Sequence, residues 1–180
     1  RGTPPPRAVM SPALLGLALG LTAHAQEPQV SVLDDKKTVR AAVEIDVDAA
    51  TATALIRDHR KKAVASGKAD MKIEDVRQDG ACQVMKWTVP HPVKTVSYVA
   101  RSCEVDGGTS VNLVESDDFD DYASDWRVES AGEGRARIIV HLRSIPSFPI
   151  PGAVVRSQVK AALSRSLTNI KANLEALPGR

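Results

Sequence analysis

Apolar and polar positions alternate over much of the chain, and this alternation predicts β-strands with one buried face. The first alternating segment covers 38–47. Its inward positions are expected to be Val39, Ala41, Val43, Ile45 and Val47. Six more strand-like segments follow in close succession, at 70–78, 81–89, 95–105, 109–116, 122–130 and 135–145. Most of the connections are too short for a crossover, so the seven strands are expected to form an antiparallel sheet.

Two of the connections have the residues of tight hairpin turns. Asp79-Gly80 and Asp106-Gly107-Gly108 each follow a strand-like segment. An Asp-Gly pair between two alternating segments is the strongest short-range indication of a hairpin, because glycine accepts a positive φ without strain. We therefore expect the strands on either side of each pair to be neighbours in the sheet.

Two further segments have the spacing of helices. Residues 49–66 are expected to form one or two short helices behind Asp48, whose side chain can cap the first turn. In this region Ala54, Leu55 and Ile56 are placed inward, and Arg57, Arg60, Lys61 and Lys62 are placed outward.

Residues 152–177 form the second segment, a helix about 40 Å long. Its apolar stripe is Val155, Val159, Leu163, Ser166, Ile170, Leu174 and Leu177. Such a stripe requires a sheet to pack against.

Three prolines stand between the last strand and the long helix. Pro146 is expected to end the strand because it lacks a backbone N–H. Pro149 keeps Phe148 extended, and Pro151 suits the first turn of a helix. We expect residues 146–151 to form a stiff strap that sets the angle of the helix over the sheet.

Strand register tests whether the two cysteines can pair. If Val89 faces Val96 across the turn, Cys82 faces Cys103. Directly opposed residues in a non-hydrogen-bonded antiparallel pair are close enough for a disulfide. The register thus predicts a Cys82–Cys103 disulfide, and two separate half-buried thiols are the alternative.

The same register assigns the two faces of this hairpin. Trp87 stands opposite Tyr98, and Met85 stands opposite Ala100. This apolar face is expected to look toward the long helix, which places the disulfide on the outer face.

The first 25 residues have the pattern of a secretory signal peptide. An apolar stretch at 13–21 is followed by Ala23-His24-Ala25, with small residues at the positions that signal peptidase requires. The apolar stretch is about half a membrane span. We expect cleavage near Ala25 and a periplasmic or secreted protein, with a retained anchor or a misassigned start as the alternatives. Residues 26–37 would then be a flexible lead-in, and 38–178 the folded domain.

Cleavage also changes the charge. Arg1 and Arg7 are two of the 24 basic residues, and the segment holds none of the 22 acidic ones, so 22 of each remain. A neutral domain argues against general nucleic-acid binding.

Three segments resemble the START-like superfamily, which includes StAR-related lipid transfer domains, birch-pollen-allergen-like proteins and polyketide cyclases. PHPVKTVSYV (90–99) resembles a START motif, with Pro90, Pro92, Tyr98 and Val99 matching. DWRVESAGEGRARIIVHL (125–142) resembles the tryptophan-bearing strand and its hairpin. IPSFPIPGAVVRS (145–157) resembles the proline-rich entry to the last helix. The predicted order of elements, β-α-α-β6-α, is similar to the helix-grip order of that superfamily.

The resemblance implies an α+β helix-grip fold, in which a curved seven-stranded antiparallel sheet wraps around the long C-terminal helix. It also implies a cavity between them for a lipid or another apolar molecule. The expected cavity residues are Met85, Trp87, Val96, Tyr98, Trp126, Val155, Val159 and Leu163. Phe148 and Ile150 are expected at its portal. The aromatic residues can equally be filling of the core, and the sequence leaves both readings open.

Little in the sequence indicates catalysis, and we expect neither a metal nor a cofactor. His59, His91 and His141 fall at a helix end, in a turn and in a strand, without the spacing of metal ligands. His141 and Arg143 are expected to face solvent.

The acidic run 115–125 is expected to be a solvated loop. Cation binding or docking to a basic partner is the alternative for it. Phe119 within the run is expected to anchor the loop, with an exposed membrane or partner contact as the alternative.

Three hypotheses about function follow. The first is an exported, non-catalytic protein that binds or carries a hydrophobic ligand such as a lipid, with transient membrane contact. The second is a cyclase or aromatase-type enzyme, for which the polar candidates are Tyr98, Lys94, His91 and Arg143. The third is a partner-binding domain with a filled core. The sequence assigns no oligomeric state.

Overall fold

The computed structural model describes residues 27–90 and 94–176. The elements are β1 (Gln29–Val32), β2 (Thr38–Ile45), α1 (Ala49–Arg57), α2 (His59–Ala65), β3 (Lys72–Asp79), β4 (Cys82–Val89), β5 (Val96–Val105), β6 (Gly108–Glu115), β7 (Phe119–Ser130), β8 (Ala136–Pro146) and α3 (Gly152–Glu175). The expected signal peptide, His91 and Pro92 lie outside the described residues.

The strands form one antiparallel sheet in the order β1-β2-β8-β7-β6-β5-β4-β3. The predicted α+β helix-grip fold is therefore confirmed, but the sheet has eight strands rather than seven. The additional strand, β1, lies in the segment expected to be a flexible lead-in, where it pairs with β2. Val30 and Val32 of β1 pack against the core. Four residues are too short for alternation to stand out from the surrounding polar sequence.

The two predicted Asp-Gly hairpins are confirmed, and so is the predicted register in which Val89 faces Val96. Asp79 pairs with Cys82, and Gly80 has a φ of 60°. Gly107, in the turn before β6, has a φ of 66°. At the neighbouring Gly108, a Cβ atom would lie 1.9 Å from the carbonyl oxygen of Trp126 on β7, so this close approach of strands requires glycine.

The first helical segment divides into two helices, each with an aspartate cap. Asp48 Oδ1 accepts a hydrogen bond from the Thr51 N–H at 2.9 Å, which confirms the predicted cap. Asp58 ends α1 in an extended conformation and caps α2 by accepting from the Lys61 N–H at 2.9 Å.

Helix α3 packs mainly on β2, β1 and β8 and touches α2. Its buried residues are Leu163, Ser166, Leu167, Ile170 and Leu174, which begin at the middle of the helix. The leucines and the isoleucine of this set join residues of β2 and β8 in one hydrophobic cluster. No helix within 27–90 or 94–176 is long and apolar enough to cross a membrane.

A second hydrophobic cluster lies on β4, β5 and β6. It consists of Met85, Trp87, Tyr98, Ala100 and Val111, with partly buried neighbours that include Phe119 and Tyr122. The sheet thus carries two clusters side by side on its inner face. The space where they meet is the site described below.

The acidic run 115–125 is not a loop, which corrects the sequence-based expectation. Strand β7 begins at Phe119, so only residues 116–118 connect it to β6. Asp118 is buried and accepts hydrogen bonds from Lys94 Nζ at 2.5 Å and from the Ser97 N–H at 2.9 Å. Phe119 is partly buried against Tyr98, which agrees with the expected anchor. The strand predicted at 122–130 therefore begins three residues earlier than expected, at Phe119.

Candidate ligand cavity

A cavity of about 230 Å³ lies between the inner face of the sheet and helices α2 and α3. Strands β4 to β8 supply one side of it, and α2 and the middle of α3 supply the other. Its walls are mostly apolar. The cavity is present because α3 covers mainly the β1, β2 and β8 side of the sheet, and the short α2 covers only part of what remains.

Aromatic side chains form one wall. Trp87 and Tyr98 stand opposite each other on β4 and β5, with their rings parallel within 2° and 6.1 Å apart. Tyr122 and Phe119 from β7 meet Tyr98 at ring separations of 4.8 Å and 5.5 Å. Trp126, further along β7, is the fifth aromatic residue that lines the cavity. Both tryptophans of the chain therefore line the cavity.

The structure places five of the eight expected cavity residues on its walls: Trp87, Val96, Tyr98, Trp126 and Leu163. The other three do not line it. Met85 is buried beside Trp87 and Tyr98 within the second cluster. Val159 packs against the first cluster, and Val155 is half-buried one turn earlier on α3. Of the three α3 residues expected in the cavity, only Leu163 reaches it, and Ser166 of the same stripe lines it as well.

The expected portal residues lie outside the cavity walls. Phe148 is 44% exposed and Ile150 is half-buried, both just before α3. Their position on the connection to the helix is compatible with a portal, and their role there stays a prediction.

Helix α2 contributes polar groups that the sequence-based reading missed. Lys62 was placed toward solvent with its basic neighbours, but only 8% of it is exposed and it lines the cavity. His59, one turn earlier, is also 8% exposed and lines the cavity. The signal that could have revealed them is the spacing of His59, Lys62, Ala63 and Ser66, which describes one helical face once α2 is known to begin at His59.

His59 ties α2 to the sheet. Its Nε2 lies 2.6 Å from Ser102 Oγ on β5 in a buried hydrogen bond. The ring stands edge-on to Trp87 at 5.2 Å. Burial, reinforced by the positive charge of Lys62, lowers the pKa of His59 to about 3. His59 is therefore neutral at physiological pH, and its Nδ1 has no hydrogen-bond partner among the described residues.

The Lys62 ammonium lies 4.7 Å from the ring centre of Trp126. Burial, with a smaller contribution from the charge of Lys68, lowers the pKa of Lys62 to about 7. Within 27–90 and 94–176, no carboxylate forms an ion pair with this ammonium: Lys61 pairs with Asp58 and Arg60 pairs with Asp75, both at the surface. A cation–π contact only partly replaces the lost hydration of an ammonium.

The remaining titratable residues of the cavity wall are Lys68, Tyr98 and Tyr122. Burial lowers the pKa of Lys68 and raises the pKa of Tyr98 well above its usual value. Among the described residues, the cavity wall thus contains amines, phenols and an imidazole, and no carboxylate.

Of the four polar residues considered for a cyclase-type site, one is in the cavity. Tyr98 lines it, whereas Lys94 is exposed and pairs with Asp118. Arg143 pairs with Asp121 and does not line the cavity, nor does His141. His91 lies outside the described residues.

The two cysteines form the predicted disulfide. Cys82 and Cys103 are directly opposed on β4 and β5, with a Cα–Cα distance of 4.3 Å. By strand alternation they lie on the opposite face from Trp87 and Tyr98. The bond therefore fastens the hairpin behind the aromatic wall.

The family to which the chain belongs is shown by its sequence. A family model described as polyketide cyclase / dehydrase and lipid transport matches residues 36–175. The sequence has no significant match among curated proteins.

Solved structures resemble the fold. A START superfamily protein from Mycobacterium smegmatis is 17% identical, with a TM-score of 0.67 over 77% of this chain and 97% of that one. The lipid transfer and protein localization domain of human StarD13 is 12% identical, with a TM-score of 0.62 over 83% and 84% of the two chains. The Zhui aromatase/cyclase from Streptomyces is 13% identical, with a TM-score of 0.62 over 77% and 93%. At these identities the likeness concerns the fold alone. With the family match, it identifies this chain as a member of the polyketide cyclase / dehydrase and lipid transport family with a START-like helix-grip fold.

Proposed function

We propose that this protein is an exported binding protein that holds or carries a hydrophobic ligand, with lipids as the favoured class. The observation that carries the proposal is the apolar cavity of about 230 Å³ between the sheet and helices α2 and α3. Ligand sites for drug-sized molecules typically measure about 300–1,000 Å³. The cavity therefore suits a small or medium-sized apolar molecule, or one chain of a larger lipid.

Two observations support export. The N-terminal segment has the pattern of a cleavable signal peptide. The Cys82–Cys103 disulfide is of a kind that persists in oxidising compartments. Expression of the whole chain in a bacterial host, followed by mass measurement of the periplasmic fraction, tests this: a protein beginning at Gln26 is expected. Recovery of only the uncleaved chain in the cytoplasm contradicts export.

The alternatives are less well supported. A cyclase or aromatase needs polar groups that act on a bound chain. Of the three described residues considered for this role, Tyr98 lines the cavity and Lys94 and Arg143 do not; the further titratable groups there are those of His59, Lys62, Lys68 and Tyr122. A partner-binding domain with a filled core conflicts with a cavity at the junction of the two hydrophobic clusters. Binding without catalysis is therefore the function that the geometry supports best.

Native mass spectrometry of gently purified protein, together with uptake of a fluorescent lipid, tests ligand binding. We expect co-purified or added apolar ligand at one molecule per chain. Ser166 lines the cavity and is 4% exposed, so Ser166→Phe should fill the space and reduce uptake.

Thr168→Phe is a matched control, because Thr168 lies on the exposed face of the same helix. Equal uptake by both variants would place the ligand elsewhere. An empty protein that takes up no lipid would overturn the proposed function.

A further inference from the structure

The Lys62 ammonium is a buried group that lacks an anionic partner within the described parts of the chain. The residue is 8% exposed and its ammonium faces the ring of Trp126. Burial of an ammonium without a counter-charge strongly opposes folding. Its position on a cavity wall means that an anion inside the cavity can supply this counter-charge.

Hydrogen-bonding groups near Lys62 also lack partners. His59 lies one helical turn from Lys62, and Trp87 contacts the His59 ring. His59 Nδ1 and Trp87 Nε1 are buried, and neither has a hydrogen-bond partner within 27–90 or 94–176. Buried polar groups in folded proteins nearly always have a hydrogen-bond partner. Two unpaired groups beside one cavity therefore indicate a missing polar partner.

The charge of the ligand follows from these surroundings. The cavity wall holds Lys62 and Lys68 and no carboxylate among the described residues. A cationic head would therefore meet like charge, whereas an anionic head would meet two amines. Of the two amines, Lys62 is buried and Lys68 is half-exposed, so the buried part of the site offers one positive charge. A carboxylate carries one negative charge and matches it, whereas a phosphate monoester carries up to about two at neutral pH.

We propose that the ligand is a carboxylate-bearing amphiphile, held with its carboxylate at Lys62 and its apolar body against the aromatic wall. This inference rests on the proposed function of the cavity and names the chemical class of its ligand. Trp126 joins the two parts of the site, because its ring contacts the Lys62 ammonium and also lines the cavity. Trp87 and Tyr98 then pack against the hydrocarbon.

The test compares decanoate with decanol, decylamine and decyl phosphate on purified protein with its disulfide intact. Both tryptophans line the cavity, so their fluorescence reports occupancy directly. At slightly acidic pH, where Lys62 is charged, decanoate is expected to bind about tenfold or more tightly than decanol, with decylamine weakest. Tighter binding of decyl phosphate than of decanoate would overturn the assignment of a carboxylate.

Lys62→Met is expected to bring the dissociation constants of decanoate and decanol close together. Lys61→Met is the matched control, because Lys61 is an exposed neighbour on the same helix, and it should keep the preference for decanoate. Equal binding of acid and alcohol by the unaltered protein overturns the inference but leaves the proposed function standing. Binding of none of the four compounds, with no lipid found by mass spectrometry, overturns both.

Discussion

His59 on α2 and Ser102 on β5 are joined by a buried hydrogen bond of 2.6 Å across the inner face of the sheet. Helix α2 has only seven residues, so its own hydrogen bonds contribute little to its stability. This bond, with the edge-on contact to Trp87, therefore fixes the helix that carries Lys62 into the cavity.

Removing the serine hydroxyl should destabilise the fold. Ser102→Ala leaves His59 Nε2 buried without a partner, which costs about 1–3 kcal/mol. Urea unfolding measures the effect. Ser110→Ala, at a half-buried serine on the neighbouring strand β6, is the control and should change the free energy of unfolding by less. Equal effects would mean that the bond to His59 contributes nothing specific.

Stability should fall as pH is lowered, because His59 is buried in its neutral form. Its pKa is about 3 in the folded protein and 6.5 is the ordinary value, so the unfolded chain binds the extra proton between these pH values. The free energy of unfolding should therefore decrease by up to about 1.4 kcal/mol for each pH unit below 6.5. His59→Gln should remove most of this slope in the upper part of the window, before the carboxylates titrate. A slope reduced equally by His141→Gln would contradict the assignment to His59.

Replacing Lys62 by an apolar residue should stabilise the empty protein. The pKa of Lys62 is about 7 in the folded protein, and 10.5 is the ordinary value. Below pH 7 the buried amine is charged and its destabilising effect on the fold is at its largest. As the pH rises from 7 to 10.5, this effect becomes progressively smaller. Lys62→Met should raise the free energy of unfolding by several kcal/mol at low pH, since each pKa unit corresponds to about 1.4 kcal/mol. The gain should shrink as pH rises through this window. Chemical denaturation with Lys61→Met as control checks this, and a gain independent of pH would contradict it.

The Cys82–Cys103 disulfide should contribute substantially to stability. The cysteines are 21 residues apart, and a closed loop of this size stabilises a fold by about 3 kcal/mol. Changing both cysteines to alanine should lower the free energy of unfolding by that amount and leave ligand binding in place, since the bond lies behind the aromatic wall.

Titration of exported, denatured protein should detect no free thiols; two thiols would show that the bond does not form.

The strap before α3 should influence how fast a ligand exchanges. Phe148→Ala removes a half-exposed ring at the expected portal, so release should accelerate a few-fold while affinity changes less. Stopped-flow tryptophan fluorescence measures the rate. Val154→Ala is the control, because Val154 is equally exposed at 44% on α3 itself. Unchanged exchange in Phe148→Ala would restrict the strap to a structural role.

Local patterns in the sequence were sufficient for most of the fold. Alternation located the strands from β2 to β8, and the Asp-Gly pairs located two hairpins. The register through Val89 and Val96 was enough to pair Cys82 with Cys103, because antiparallel strands of fixed register leave no freedom in which residues oppose each other. The resemblance to START-like proteins then supplied the helix-grip arrangement.

Tertiary structure decided the chemistry of the cavity. On sequence, Lys62 is one of several basic residues in a row, and it can be told from Lys61 only once α2 is known to begin at His59. The cap at Asp58 sets where α2 begins, and the packing of α2 over β5 sets which of its faces turns inward. Likewise, the stripe of α3 is continuous in sequence, but the sheet lies under only part of it. Period and register are local properties that residues encode directly, whereas the placement of a polar group at a cavity depends on how separate elements pack.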